Sequence, residues 1–152
     1  MKISIVTPTY NESQNIEELY LKIKKKLSNI NCEYEHIIID NSSNDGTIEI
    51  IKKLAKNDKN LKVILNAKNF GHIRSPFYGL LQSDGDATIL MASDFQDPID
   101  LIPKYIEEWK KGKKIVLGEK TSSEENKIKY SVRTLFYNFL NRISEFELPK
   151  NT

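Results

Sequence analysis

The sequence predicts an α/β domain with a mostly parallel central sheet and helices on both faces. Three observations carry this expectation. Short runs rich in β-branched residues alternate with longer runs of helical spacing, in the order β-α-β-α-β-α-β-α-β. The second short run, Tyr34 to Asp40 (YEHIIID), has an all-apolar centre, as a strand buried on both faces requires. Polar side chains gather directly after four successive strand runs, where open parallel sheets bind their ligands.

Taken in chain order, Ile3 to Thr7 reads as a buried strand that Pro8 ends. Asn11 is a candidate cap for the next helix, with Gln14 three residues on. In that helix Ile16, Leu19, Tyr20, Ile23 and Leu27 share one face. After the second strand comes a polar loop, NSSNDGT, in which Asp45 or Thr47 can cap a helix whose inner face holds Ile48, Ile51, Leu54 and Ala55. Leu61 to Leu65 is the third strand. A helix follows over Ile73 to Gln82, in which Pro76 is acceptable only in the first turn. Ser83 to Asp86 is a turn and Ala87 to Ala92 the fourth strand. Pro98 suits the first position of a helix ending near Lys111. Lys114 to Gly118 (KIVLG) reads as a fifth strand. Beyond it, SSEENK is a charged loop. Ile128, Val132, Leu135, Phe136, Phe139, Leu140 and Ile143 then fall at helical spacing. That stripe suits a helix packed on its own core, a dimer contact or a membrane surface. The expected division is a core over 1–120 and a charged loop with an amphipathic helix over 121–152.

The totals narrow the function classes. The chain has 152 residues, 39% hydrophobic and 29% charged, enough for one domain with a core. A net charge of +2 gives no case for nucleic acid. Lysines cluster at Lys22, Lys24, Lys25 and Lys26 and at Lys110, Lys111, Lys113 and Lys114, as solvated helix faces or as an attraction to an anionic membrane surface. The single cysteine, Cys32, excludes an internal disulfide and suits a reducing, cytoplasmic setting. No stretch approaches the ~20 apolar residues of a membrane span, so at most peripheral membrane contact is expected.

The strand ends carry the chemistry. After the first come Pro8, Thr9, Tyr10, Asn11 and Glu12; after the second, Asp40 to Asp45; after the third, Asn69, Gly71, His72 and Arg74; after the fourth, Ser93, Asp94, Gln96 and Asp97. There is no Gly-x-Gly-x-x-Gly, no Gly-Lys-Ser/Thr loop, no Cys/His cluster and no Gly-x-Ser-x-Gly elbow. What remains is an oxygen-rich site. Asp94 and Gln96 are hard donors suited to Mg²⁺ or Mn²⁺ shared with a ligand's phosphates. Tyr10 offers an aromatic face to a base, and Asp40 or Asn41 could bond the edge of that base or a ribose hydroxyl. Asp97 before Pro98 is equally well a helix cap.

The segments VTPTYNE, IIIDNSSNDGT, KNFG and MASDFQDP, in this order, resemble the inverting nucleotide-sugar glycosyltransferases of the GT-A fold. FQDP with KNFG is most similar to the dolichyl-phosphate mannose synthase and polyprenyl-phosphate glycosyltransferase branch. The resemblance implies a Rossmann-like three-layer α/β/α domain that transfers a sugar from a nucleotide diphospho-sugar to a lipid phosphate or a glycan hydroxyl, with inversion, at the cytosolic face of the membrane. It implies that Pro8, Tyr10, Glu12, Asp40, Asn41, Ser93 and Asp94 hold the donor and that Asp94 and Gln96 hold the metal, with Asp94 and Asp97 as catalytic candidates. Two departures bear on this. The family's Asp-x-Asp reads Ala92-Ser93-Asp94 here, and Asn41 stands where the family has a second aspartate. Family members also continue past LPKNT into an acceptor-side segment. Both departures favour a second reading, a non-catalytic or degenerate nucleotide-sugar-binding module, and an uncovered C-terminal stripe favours a homodimer. A nucleotidyltransferase predicts a glycine-rich basic first loop, which TPTYNES is not.

Overall fold

The computed structural model describes residues 1–30, 32–118, 134–137, 139, 142 and 143. They fall in two compact units, Met1–Gly112 and Lys113–Thr152. In the first unit the strands are Lys2–Thr9 (β1), Glu33–Asp40 (β2), Leu61–Leu65 (β3) and Ala87–Leu90 (β4). The helices are Ile16–Ser28 (α1), Thr47–Lys56 (α2), Gly71–Leu81 (α3) and Ile102–Lys110 (α4), the last entered through a 3-10 turn at Ile99–Leu101. All pairings are parallel and the order is β3-β2-β1-β4. The chain steps outward from β1 to β3 and then returns to the other side of β1. The carboxyl ends of β1 and β4 therefore flank the switch point where such sheets bind ligands.

Strand alternation divides the core into two layers. Ile3, Ile5 and Ile38 face α1, whose Ile16, Leu19, Tyr20, Ile23 and Leu27 are all buried, and Ile51, Ile102 and Ile106 complete that layer. Val6, Ile37 and Ile39 face the other way, under α3, with Ile64 and Leu80 packed against them. Each such side chain contributes on the order of 1.5–3 kcal/mol. This is the expected three-layer arrangement. Gly79 makes the second layer thin: a Cβ there would lie 2.9 Å from Val6 Cγ1 and 3.1 Å from Ile39 Cγ2.

His36 and Glu35 of β2 are among the polar groups buried with the sheet. His36 stacks on Tyr20 at 6.1 Å, and its Nε2 lies 2.9 Å from Thr7 Oγ1. Burial pushes its pKa down to about 4, against a smaller opposing effect of Asp58. Glu35 sits at the start of the strands, 2% exposed. Its carboxylate accepts from Ser4 Oγ at 2.5 Å and from the Asp84 N–H at 2.9 Å, and pairs with Lys62 at 2.5 Å. Desolvation alone would raise its pKa, but these partners outweigh it and hold it below the usual carboxylate range. The Gly85 N–H donates to Ser4 Oγ, and Lys2 bridges Asp84 and Glu35, so one foot of the sheet is tied together.

Prolines account for most departures from expectation. β1 does not stop at Pro8 but runs to Thr9. In β1 the odd residues bond towards β2, as when Asn41 N–H donates to Thr9 O, and the even ones towards β4, as when Met91 N–H donates to Val6 O. Pairing with β4 ends at Val6, so Pro8 lies on the β4 side just past the last ladder bond, and its missing N–H costs nothing. Pro76 is in the second turn of α3, not the first, and cannot donate to the His72 carbonyl four residues back. Pro98 is extended (φ −68, ψ 111) and precedes the 3-10 turn, while Pro103 takes the first turn of α4. Asn11 does not cap α1, whose N-cap is Asn15; Gly46 holds the N-cap position of α2, with Asp45 accepting from the Thr47 N–H.

The second unit also departs from expectation. Residues 113–118 form no strand, and Ile115 and Leu117 are exposed. Their apolar run is only three residues long, between two lysines and a glycine. Residues 134–137, 139, 142 and 143 are helical, with Leu135, Phe136, Phe139 and Ile143 exposed. Ile128, Val132 and Leu140 of the expected stripe lie outside the described residues. Among the described residues no helix is long and apolar enough to cross a membrane.

Candidate functional site

β1 and β2 end level, with Thr9 beside Asp40. The two loops that follow are sewn together by side chain to backbone bonds. The Asn11 N–H donates to Ser43 Oγ at 2.9 Å, and the Asn44 N–H returns to Asn11 Oδ1 at 3.0 Å. The Glu12 N–H donates to Thr47 Oγ1 and the Ser13 N–H to Asp45 Oδ2. Desolvation works against the Asp45 carboxylate, but the Thr47 hydroxyl and the Ser13 amide hold its pKa well below the usual range. Among the described residues, the non-glycine ones with left-handed backbone are Asn11 (φ 55), Ser42 (φ 69) and Phe95 (φ 61), one in each loop after β1, β2 and β4. Such strain persists only where the surroundings enforce it, and it clusters at functional sites.

A cleft of about 450 Å³ opens above these strand ends. Its β1 side is Pro8, Thr9, Tyr10 and Glu12, its floor includes Asn41 and Ser93, and its other wall is Asn69, Gly71, His72, Ser75 and Pro76. The wall exists because Gly71 (φ 84) turns the chain into α3 in a left-handed conformation that only glycine takes without cost. The N-cap residue Phe70 makes no side-chain cap bond, and Asn69 Oδ1 takes the Gly71 N–H, so the start of the helix with its partial positive charge lies at the cleft through Gly71 and His72. Tyr10 is 47% exposed, a free aromatic face. His72 lines the cleft, whereas Arg74 is exposed outside its lining.

Of the residues singled out in the sequence, Pro8, Tyr10, Glu12, Asn41 and Ser93 come together here. Asp40 does not line the cleft. It is fully buried beneath the loop, and its carboxylate takes both the N–H and the hydroxyl of Ser43. Asp94 and Gln96 are exposed on the loop beyond Ser93, where Asp94 Oδ1 accepts the Gln96 N–H at 3.2 Å. Asp97 turns to the α1 side. Its Oδ2 accepts the Ala92 N–H at 2.8 Å, and it lines a separate groove of about 400 Å³ with Lys22, Lys25, Lys26 and Phe95. In that groove Lys22 lies 4.7 Å over the Phe95 ring and Lys26 pairs with Asp100.

Ser75 and Pro76 were not anticipated as lining residues. Ser75 is one turn after Gly71 and one before the close-packed Gly79, so the helical phase alone could have placed it on the cleft side of α3.

Among the described residues no three His, Cys, Asp or Glu side chains converge on a metal position. The carboxylate of Asp94 and the side-chain amide oxygen of Gln96, both exposed on one loop, are donor types that fit Mg²⁺. That ion commonly takes one or two carboxylates and completes its shell with water and substrate phosphate.

Comparison with known proteins gives the family and the fold. Residues 4–152 match the family model described as "Glycosyl transferase family 2". The uncharacterized glycosyltransferase YkcC of Bacillus subtilis is 31% identical over 153 residues, covering 100% of this chain and 47% of that protein. The bactoprenol glucosyl transferase of Shigella phage SfX is 34% identical over 152 residues, covering 99% of this chain and 50% of that protein. The chain thus spans about half the length of these relatives. The structure of S. aureus TarS 1-349 in complex with UDP-GlcNAc is 29% identical, with a TM-score of 0.55 over 71% of this chain and 32% of TarS.

Proposed function

The chain belongs to glycosyl transferase family 2, and on that premise we propose that Met1–Gly112 is the donor-binding half of a glycosyltransferase. It holds a nucleotide diphospho-sugar in the cleft at the strand ends. The observation that carries this reading is the convergence of Pro8, Tyr10, Glu12 and Ser93 with the first turn of α3 around one cleft at the switch point. Tyr10 stacks on the base, and Pro8 and Glu12 bound the nucleoside. Asp40 acts from beneath, fixing the loop through Ser43 rather than touching the ligand. The start of α3 and His72 face the diphosphate, where the helix dipole favours negative charge.

Asp94 and Gln96 would hold Mg²⁺ or Mn²⁺ jointly with the diphosphate, and the ion supplies charge neutralisation on the leaving group. Asp97 keeps the Ala92 N–H and so holds the loop that presents Asp94. In the transfer an acceptor oxygen bonds to the sugar's anomeric carbon from the face opposite the diphosphate. The bond to the diphosphate breaks, and the nucleoside diphosphate leaves with its electron pair. A lipid-phosphate acceptor fits this chain best, because its oxygen is already ionised near neutral pH (second pKa ~6) and needs no general base. The similarity to bactoprenol glucosyl transferases supports that choice and a place at the cytosolic face of a membrane. The exposed Leu135, Phe136, Phe139 and Ile143 of the second unit offer an apolar surface for a homodimer.

A second reading, a nucleotide-sugar-binding module without turnover, is favoured by one observation: Ala92 offers an ion no donor where the family has a carboxylate. Calorimetric titration with UDP, GDP, CDP and dTDP, with and without Mn²⁺, tests the donor site. One nucleotide should bind, and Asp94→Ala should remove the metal-dependent part of its affinity. Binding unchanged in that variant would put the diphosphate elsewhere, and no binding to the wild-type chain would defeat the donor-site reading. Release of nucleoside diphosphate from the matching nucleotide-sugar separates the enzyme from the module.

A further inference from the structure

Asn41 is 7% exposed at the end of β2, and its side-chain amide is fully occupied. Its Oδ1 accepts the Phe70 N–H at 2.8 Å and Asn66 Nδ2 at 3.2 Å. Its Nδ2 donates to Asn69 Oδ1 at 2.9 Å and to the Gly71 carbonyl at 3.4 Å. An asparagine amide offers two donors and two acceptor sites, so none is left for a ligand. All four bonds go to one segment, the loop between β3 and α3, in which Asn66 also bonds Ser75 and Asn69 Oδ1 also accepts the Gly71 N–H. The same segment is the cleft wall opposite Tyr10.

We infer that Asn41 is a positioning residue that clasps the β3–α3 loop and thereby sets the nucleotide affinity of the cleft, without hydrogen-bonding the nucleotide. This rests on the donor-site reading above. Two donors and two acceptors must be presented at once, and of the two related side chains only the amide does so. An ionised aspartate keeps the bonds from Phe70 and Asn66 but points a charged oxygen at Asn69 Oδ1 and the Gly71 carbonyl. Two acceptors then lose their donor and meet a like charge, and the wall moves away from the cleft. When protonated, the same carboxyl regains one O–H donor, which restores part of the clasp.

The experiment compares wild type with Asn41→Asp and Asn66→Ala. Asn66 lies outside the cleft lining, so it acts on a ligand only through its partners Asn41 and Ser75. Affinity for the best-bound nucleoside diphosphate is measured from pH 8 to pH 5, alongside hydrogen-exchange protection of the Phe70 and Gly71 amides in the free protein. At pH 8, Asn41→Asp should bind about tenfold more weakly than wild type, the scale of one or two net hydrogen bonds. That ratio should shrink as pH falls and the introduced carboxyl protonates, a pH dependence that a merely destabilised fold would not give. Asn66→Ala should be several-fold weaker at every pH, and both variants should lose protection at Gly71, whose N–H is held by Asn69. Asn41→Asp binding like wild type at pH 8, a deficit that does not shrink with pH, or an Asn66→Ala protein with unchanged affinity and protection would each overturn the inference. If wild type binds no nucleoside diphosphate, the donor-site reading fails. The clasp is then judged on exchange alone: protection lost in both variants keeps it, and protection retained removes it.

Discussion

Ala92 donates its N–H to Asp97 and has no polar side chain, so in the proposed ion site the carboxylate of this segment is Asp94. Ala92→Asp should therefore tighten Mn²⁺ binding in the presence of bound nucleotide by roughly tenfold, at the lower end of what even outer partners of metal sites are worth. A Mn²⁺ titration followed by calorimetry reads this directly, and no gain would mean that position 92 is turned away from the ion. The roles of single residues were the least legible part of the sequence. Asp40 and Asn41 were visible as polar groups after a strand, and their types were suited to a ligand. What they do is decided by partners: Ser43 for Asp40, and a loop 25–30 residues away for Asn41. Nothing in local pattern distinguishes an amide offered to a ligand from one spent on a distant loop.

The elements were more legible, because each answers to a periodicity. The buried face of α1 is the set Ile16, Leu19, Tyr20, Ile23 and Leu27, which its spacing marks out, and β3 occupies Leu61–Leu65 as its run predicts. Pro8 and Pro76 misled for a common reason. A proline's cost depends on whether its missing N–H had a partner and what its ring meets, and that is set by neighbours the sequence does not show. Gly79 is the element-scale counterpart. In isolation Gly79→Ala improves a helix by about 1 kcal/mol. Here the new methyl would meet Val6 and Ile39 at 2.9 and 3.1 Å, and overpacking costs about 1–3 kcal/mol. The net expectation is lower stability, read as a fall in the denaturation midpoint with unchanged slope. A raised midpoint would show that α3 can lift from the sheet without penalty.

At the scale of the whole molecule, stability should depend on pH through His36. Burial holds its folded pKa near 4, below the unfolded value of about 6.5. Between these values the unfolded chain binds the extra proton, so stability is complete above pH 6.5 and is lost as pH falls towards 4. The slope should reach at most about 1.4 kcal/mol per pH unit. His36→Gln, which can still bond Thr7, should flatten it, as followed by denaturant unfolding at fixed pH steps. An equally steep profile in that variant would assign the slope to other groups. Glu35 acts at more acid pH, because its depressed pKa contributes stability that is lost only as pH drops below the ordinary carboxylate range.

The network around Glu35 also separates two ends of one sheet. Ser4, Lys2, Lys62, Asp84 and Gly85 converge on it where the strands begin, while the cleft lies where they end. Changes around Tyr10, Ser93 or His72 therefore leave that foot untouched. A combinatorial library randomised at those cleft positions should return mostly folded members, and its survivors should differ in ligand preference more than in melting behaviour. The chain is in this sense an evolvable frame, with its inheritance held at one end of the strands and its novelty at the other.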